Sequence, residues 1–352
     1  MNVKRYYDNK SRFIPAHWQP GVLIDYVCQQ GVDANKLLRG SGIFVEDITE
    51  TSNLISVKQF SHIIENSRSL LPAMDASFIF GSRLFPGNFN QLSSALNCAN
   101  HLYDALFLIS KFPLTTFPLL RATLITNENE TGIEWRDVFG LEHSKPYLVE
   151  TAMAALVSFS KWQSATSLPW RFEFDYAPPE YLEQYEVHFS DKDLRFNLGG
   201  CRMWLKNEYL YHPWRFASTT AYRFALNEIS KNRHYSTQQG FCGLVSELIA
   251  DDLQAGIQLQ TVAESLQMSS ATLKRKLKQH DTNFQSLLDM VRRRSAVDLM
   301  LNNKWNQEEV AKHLGIHDAA NFRRAFRKWT GCSPKEYSRL TQPENADGIH
   351  SG

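Results

Sequence analysis

Apolar residues recur along the chain with two different periods, and the change of period divides it into regions. In the first third the spacing is helical. It predicts helices over 21–39, 56–70 and 89–112, the last with Leu92, Leu96, Ala99, Tyr103, Leu106 and Phe107 along one face. After Pro113 the period shortens. LLRATLIT (119–126) and GIEWRDVF (132–139) read as strands, with the polar NENET run between them as a hairpin loop. Pro146 opens a helix to about Ser164, and WRFEFDY (170–176) alternates as a half-buried strand that Pro178 and Pro179 end. Residues 195–205, broken by Gly199 and Gly200, read as a further strand or a bent pair. From 213 to 256 the pattern is largely helical, as in a linker.

Beyond Gly256 the pattern is purely helical and repeats. In TVAESLQMSSATLKRKLK (261–278) and EVAKHLGIHDAANFRRAFRK (309–328), Val262, Ala263, Leu266 and Met268 match Val310, Ala311, Leu314 and Ile316 at an offset of 48. Leu273, Arg275 and Leu277 then match Phe322, Arg324 and Phe326 at 49, one residue having been added in the second turn. Each copy has the form of a short helix, a tight turn and a second helix, the pattern of a helix-turn-helix. Ala263 and Ala311 suit close helix packing, and Gly315 is free to take a positive φ. The first copy has Gln267 at that place, a mild departure that a somewhat different turn would accommodate. In the second copy Phe322, Phe326 and Trp329 form one apolar stripe at i, i+4, i+7, and Arg323, Arg324, Arg327 and Lys328 fall outside it. Leu273, Leu277 and those three rings are expected in the core. Between the copies, 284–303 reads as one helix of roughly 30 Å, close to the ~34 Å advance of one turn of B-DNA.

Charge sharpens this picture. The whole chain of 352 residues has a formal net charge of only +1. Residues 260–340 alone carry 15 Lys and Arg against 8 Asp and Glu, a net of +7. A near-neutral protein thus holds one basic module, which points to a polyanionic partner. Five scattered cysteines without a CxxC argue against both a disulfide framework and a zinc finger. His313 and His317 are the one i, i+4 histidine pair and lack a third ligand at helical spacing, so no metal is expected. No apolar run reaches the ~20 residues of a membrane span, and the first residues have no apolar signal segment, so the expected location is the cytoplasm. GxSxG, HExxH and GxxxxGK[ST] are all absent, which argues against an enzyme.

The stretch LGIHDAANFRRAFRKWTGCSPKEYSR, closing on G-x-S-P-x-x-Y, resembles the DNA-binding domain of the AraC/XylS family of bacterial transcription regulators, with Ile316 where the family usually has an aromatic residue. LPWRFEFDYAPPEYLEQYEVHFSDKDLRFNLGGCRMWLKNEYL resembles the arabinose-binding-domain-like effector domain of a subgroup of that family. The resemblance implies an amino-terminal arm (1–20), an α+β effector domain (21–213), a helical linker (214–240), an all-α double helix-turn-helix domain (241–340) and a disordered tail (341–352). The family's best-known effector domains are cupin-like barrels. The helical first hundred residues here point to a mixed α+β domain instead, so no cupin pocket residue is carried over.

By position, the resemblance implies that Ala271, Thr272, Lys274 and Arg275 approach bases or phosphates in the first copy. In the second copy Ala320, Asn321 and Arg324 do so, with Arg323, Arg327 and Lys328 on phosphates. Asn321 has a capping or turn role as its alternative, and Ser269 and Asp318 read as N-caps. Of Arg292, Arg293 and Arg294, one is expected to pair with Asp289, Asp298 or another acid, and another to meet the effector domain. No cofactor is expected. The implied partners are promoter DNA, RNA polymerase and a small effector (an amino acid, fatty acid or other metabolite), with a homodimer as an alternative to the monomer. For a carboxylate effector the candidate cations are Arg83, Arg121, Arg171 and Arg202, each also readable as an exposed strand or loop residue. The expected activity is effector-controlled transcription activation. The alternative is a ligand-independent regulator whose amino-terminal domain serves dimerisation or protein contact.

Overall fold

A computed structural model describes residues 6–50, 52–189, 193–231, 238–301 and 303–341. The chain divides into two compact units, one of residues 1–172, 179–194 and 202–240, the other of residues 173–178, 195–201 and 241–352. An α+β architecture precedes an all-helical carboxy-terminal region, as the hydrophobic periods predict. Of the expected tail, all but Thr341 lies outside the described residues.

In the first unit, strands β1 (Tyr6–Tyr7) and β2 (Arg12–Pro15) precede helices α1 (Gln19–Gln29), α2 (Ala34–Leu38) and α3 (Val45–Thr49). The single helix expected at 21–39 is two, because Gly31 turns the chain at φ +84° and Asp33 starts a new helix. The Asp33 carboxylate accepts from the backbone N–H of Asn35 at 3.0 Å and of Lys36 at 3.2 Å. Strand β3 (Leu54–Ser56) pairs with β2 and leads into α4 (Val57–Leu70), which Ser56 and Gln59 close with a capping box. Helices α5 (Ala76–Ser82), α6 (Gln91–Asn97), α7 (Leu102–Lys111) and α8 (Pro113–Thr116) follow. The helix expected at 89–112 is thus also interrupted, at 98–101, where Asn100 bonds Asp104 at 2.7 Å and His101 caps α7.

The hairpin falls where the alternation places it. Strand β4 (Leu120–Thr126) runs antiparallel to β5 (Glu130–Asp137), from Leu120 opposite Asp137 to Thr126 opposite Thr131. Helix α9 (Lys145–Ser164), strand β6 (Arg171–Glu173), helix α10 (Leu182–Phe189) and strands β7 (Leu194–Arg195) and β8 (Cys201–Lys206) complete a five-stranded sheet of order β4-β5-β8-β6-β7. WRFEFDY is regular strand only over its residues 171–173. Helix α11 (Thr219–Lys231) packs along α6, and strand β9 (Gln239–Gly240) pairs parallel with β1.

Helix α9 is the hub of this unit. It lies against α5 and β5 and is buried around most of its circumference. One acid, Glu150, sits in its apolar run at 1% exposure. A buried carboxylate needs donors, and three hydroxyls supply them: Ser77 Oγ at 2.5 Å, Tyr185 OH at 2.5 Å and Tyr181 OH at 3.0 Å. Burial raises the Glu150 pKa, and those three hydrogen bonds pull it back.

In the second unit, α12 (Phe241–Asp251) packs on the connector α15 (Phe284–Leu301). Helices α13 (Leu259–Ser265) and α14 (Ser270–Gln279) form one helix-turn-helix, α16 (Gln307–His313) and α17 (Ala319–Thr330) the other, and α18 (Pro334–Leu340) packs on α17. The two turns are the same in kind. Met268 N–H donates to Ala263 O at 2.9 Å, and Ile316 N–H to Ala311 O at 2.9 Å. Gln267 has φ +55° and Gly315 φ +63°, so the different first turn expected from Gln267 is not found. The reason is space. Gln267 is exposed and accepts the strain of a left-handed residue, whereas a Cβ at Gly315 would lie 2.4 Å from Leu253 O.

Two stability predictions follow from these contacts. Glu150→Ala strands two buried hydroxyls and the half-buried one of Tyr181 and should lower stability by about 2–4 kcal/mol, with Glu150→Gln losing less because its amide oxygen still accepts. Equilibrium urea unfolding measures both, and an unchanged midpoint would mean that the hydroxyls find other partners. Gln267→Gly should stabilise by up to ~1 kcal/mol by relieving the left-handed strain, while Gly315→Ala should cost about 2–3 kcal/mol by overpacking. Melting of the two variants beside the parent checks the opposite signs.

Candidate nucleic-acid interface

Each reading helix is fixed by a cap at one end and an apolar stripe along one side. Ser269 Oγ accepts from Thr272 N–H at 3.2 Å to begin α14, and Asp318 Oδ1 accepts from Asn321 N–H at 2.7 Å to begin α17. Leu273 and Leu277 on α14, and Phe322 and Phe326 on α17, are wholly buried. Trp329, expected beside them, is half-buried because it stands near the end of its helix. With those faces inward, Ala271, Lys274 and Arg275 of α14 are exposed, and Thr272 is half-exposed beside its cap. On α17, Ala320, Arg323, Arg324, Arg327 and Lys328 are exposed and Asn321 is half-exposed.

The cations differ in what holds them. Lys274, Arg275 and Arg327 have no side-chain hydrogen bond or ion pair among the described residues. Arg323 Nη1 donates to Gln307 Oε1 at 3.4 Å, and Lys328 Nζ pairs with Asp289 Oδ2 at 3.0 Å. Arg324 donates to Asn321 Oδ1, and Asn321 Nδ2 donates to Asp318 Oδ2 at 3.0 Å. Asn321 is therefore part of the helix start and also the rest that orients Arg324. Asp318 is held below its usual carboxylate pKa by the Asn321 backbone N–H and by His317, so it keeps its charge as a cap. An open groove lies beside each motif. One, of about 860 Å³, is lined by Lys274, Lys278 and Asn283, and the other, of about 930 Å³, by Lys312, Ala320 and Arg323.

Connector α15 has 18 residues, about 27 Å of helix. Its arginines diverge as helical geometry requires. Arg292 Nε donates to Leu314 O at 3.2 Å, and Arg293 Nη2 to Asp175 O at 2.6 Å. Asp289 takes Lys328 as its ion-pair partner.

The four arginines singled out for a carboxylate ligand occupy separate places. Arg83, after α5, is exposed, donates to Gln29 Oε1 at 2.6 Å and lies 4.8 Å over the Tyr26 ring. Arg121 on β4 donates to Gln239 Oε1. Arg171 pairs with Glu130 at 2.7 Å, and Arg202 with Glu134 at 3.2 Å. Arg202 is not the exposed strand residue expected. It is 7% exposed, and the still more buried Glu134 supplies the countercharge that such burial requires. Glu130 and Glu134 share one face of β5, so the arginines of β6 and β8 already face acids of the fold. Glu150 was not singled out from the sequence, although one acid inside KPYLVETAMAALVSFS is the signal of a buried carboxylate.

Comparison with known proteins agrees with this geometry. Residues 31–214 match the model of the arabinose-binding domain of AraC transcription regulators, and residues 262–340 match a helix-turn-helix domain model. The ornithine utilization regulator of Pseudomonas aeruginosa is 24% identical over 317 residues, covering 90% of this chain and 93% of the relative. An activator of Escherichia coli, CfaD, is 28% identical over 137 residues, 38% of this chain and 52% of the relative. The crystal structure of the regulator CdpR from Pseudomonas aeruginosa aligns at 19% identity with a TM-score of 0.44, covering 96% of this chain and all of that one. These relatives are transcription regulators rather than enzymes. With the arabinose-binding-domain model matching more than half of the chain and the second model covering both helix-turn-helix motifs, the protein belongs to the AraC family of DNA-binding transcription regulators.

Proposed function

We propose that the chain is a transcription activator controlled by a small metabolite, which docks α14 and α17 into two adjacent major grooves. The observation that carries this reading is the pair of capped helices with outward cations, joined by an 18-residue helix of about 27 Å, a length of the order of the ~34 Å turn of B-DNA. Arg324 has the geometry to take guanine O6 and N7 together. Asn321 orients it, and Lys274, Arg275, Arg323, Arg327 and Lys328 supply phosphate contacts. Ala271, Thr272 and Ala320 are small enough to let the helices approach base edges closely. Effector control is supported by the arabinose-binding-domain match, and an amino acid is the first class to try because the relative matched along most of this chain is named for ornithine utilization. Activation is supported by the printed name of CfaD. RNA polymerase is then the protein partner, and the cytoplasm the place of action.

Arg324→Ala should weaken binding to a selected DNA site by about 1–3 kcal/mol and relax preference at one base pair. Arg327→Ala should weaken selected and scrambled DNA alike and flatten the salt slope by ~0.9. Lys328→Ala should flatten it less, since Lys328 leaves Asp289 to reach a phosphate. Fluorescence anisotropy across a salt series separates the three, and an Arg324→Ala variant that binds both DNAs as the parent does would remove α17 from base reading.

The effector is sought by melting the full chain with ornithine, other amino acids, fatty acids and small organic acids. A ligand at ~100 times its dissociation constant adds about 2.7 kcal/mol. If none of these compounds raises the melting temperature, the amino-terminal region is better read as a ligand-independent dimerisation or contact domain.

A further inference from the structure

Two short segments far from the helix-turn-helix sequences belong to the same compact unit as those motifs. Segments 173–178 and 195–201 are bound first to each other. Leu198 N–H donates to Phe174 O at 2.7 Å, Asn197 N–H to Tyr176 O at 2.9 Å, and Cys201 Sγ to Asp175 Oδ1 at 3.1 Å. Phe174 and Phe196 stack with centroids 4.8 Å apart. The linked segments then hold the middle of α15 from one side. Arg293 Nη2 donates to Asp175 O at 2.6 Å. At Gly199 an added Cβ would lie 2.8 Å from Asp298 Oδ1 and 3.1 Å from Arg294 O, so the second segment rests its bare backbone on α15.

Helix α15 also packs on α16 and α17 of the second helix-turn-helix. Burial pushes the Tyr337 phenol up to about 12 against the opposing pull of the Arg293 guanidinium. Tyr337 of α18 packs edge-on against Phe326 of α17 at 5.2 Å. Arg293 therefore ties the backbone of residue 175 to α15, the helix on which α17 packs, and Tyr337 covers the buried face of α17.

We propose that Arg293 is a positioning residue, through which segments 173–178 and 195–201 set the placement of the second reading helix and so regulate reading of one groove separately from the other. The inference rests on the two-groove reading above. It adds that the two strand-linked segments, both inside the region matched to the arabinose-binding domain, act on α17 and leave α14 alone. Arg293 acts through α15, which packs on α17, and its loss leaves every exposed cation of both reading helices in place.

The test is footprinting of the full chain on DNA selected from random sequence, with the half-site of α17 identified by the Arg324→Ala footprint. Arg293→Ala should weaken protection of that half-site about tenfold and change the other less than twofold. Arg293→Lys, which keeps a donor for Asp175 O, should recover most of the loss. Gly199→Val alters neither reading helix and should give the same one-sided loss by lifting the segment off α15. Circular dichroism matches the folded fraction of each variant. Equal losses at both half-sites, or unchanged protection in Gly199→Val, would overturn the proposal. A parent chain that protects no selected sequence would instead overturn the two-groove reading, and this inference with it.

Discussion

Burial of Phe322 and Phe326 is the constraint on which the carboxy-terminal half depends. Both rings are removed from water altogether, and a fully buried Phe is worth about 1.5–3 kcal/mol relative to an exposed one. That preference sets the rotation of α17 about its own axis. Once the rotation is set, Arg323, Arg324, Arg327 and Lys328 have no choice but the open side. A helix of this sequence turned the other way would bury four cations without partners, at a cost no apolar contact in the module offsets. The positive face is thus a by-product of the core, and the same logic with smaller residues, Leu273 and Leu277, orients α14.

What could be read from the sequence follows that logic. Wherever one period runs uninterrupted, as in α4 and β4, the elements lie where the pattern places them. The breaks are harder to see. Gly31 and Asn100 end helices whose apolar spacing continues past them, because capping by Asp33 and His101 competes locally with a pattern that favours continuation. Arg202 was misread for a different reason. A strand arginine looks exposed until its countercharge is known, and Glu134 lies on another strand, 68 residues away. The repeat at offsets 48 and 49 made both reading helices visible before any coordinate. Nothing in that repeat says that Asn321 holds Arg324, or that Gln267 bends as a glycine does.

The two halves of the basic module are consequently alike in fold and unlike in readiness. Lys274 and Arg275 of α14 have no side-chain partner to leave among the described residues. Arg324 rests on Asn321, and Lys328 on Asp289. Contacts made by Lys274 and Arg275 are net additions, as is that of Arg327, whereas those of Arg324 and Lys328 are exchanges in which a protein partner is given up for a DNA one. Exchanges contribute less affinity but penalise a wrong base more, since a poor site leaves the displaced group with nothing.

Connector α15 has one further consequence. A single helix carries no hinge of its own, so the angle between the two reading helices is set by how each packs about it, and is compared with the angle between two grooves. That angle is a property of DNA twist, which bending and superhelical tension change without altering a base. For two-groove docking, a rigid connector therefore makes occupancy depend on the torsional state of the promoter as well as on its sequence. A supercoiled and a relaxed copy of the same site would then be different ligands.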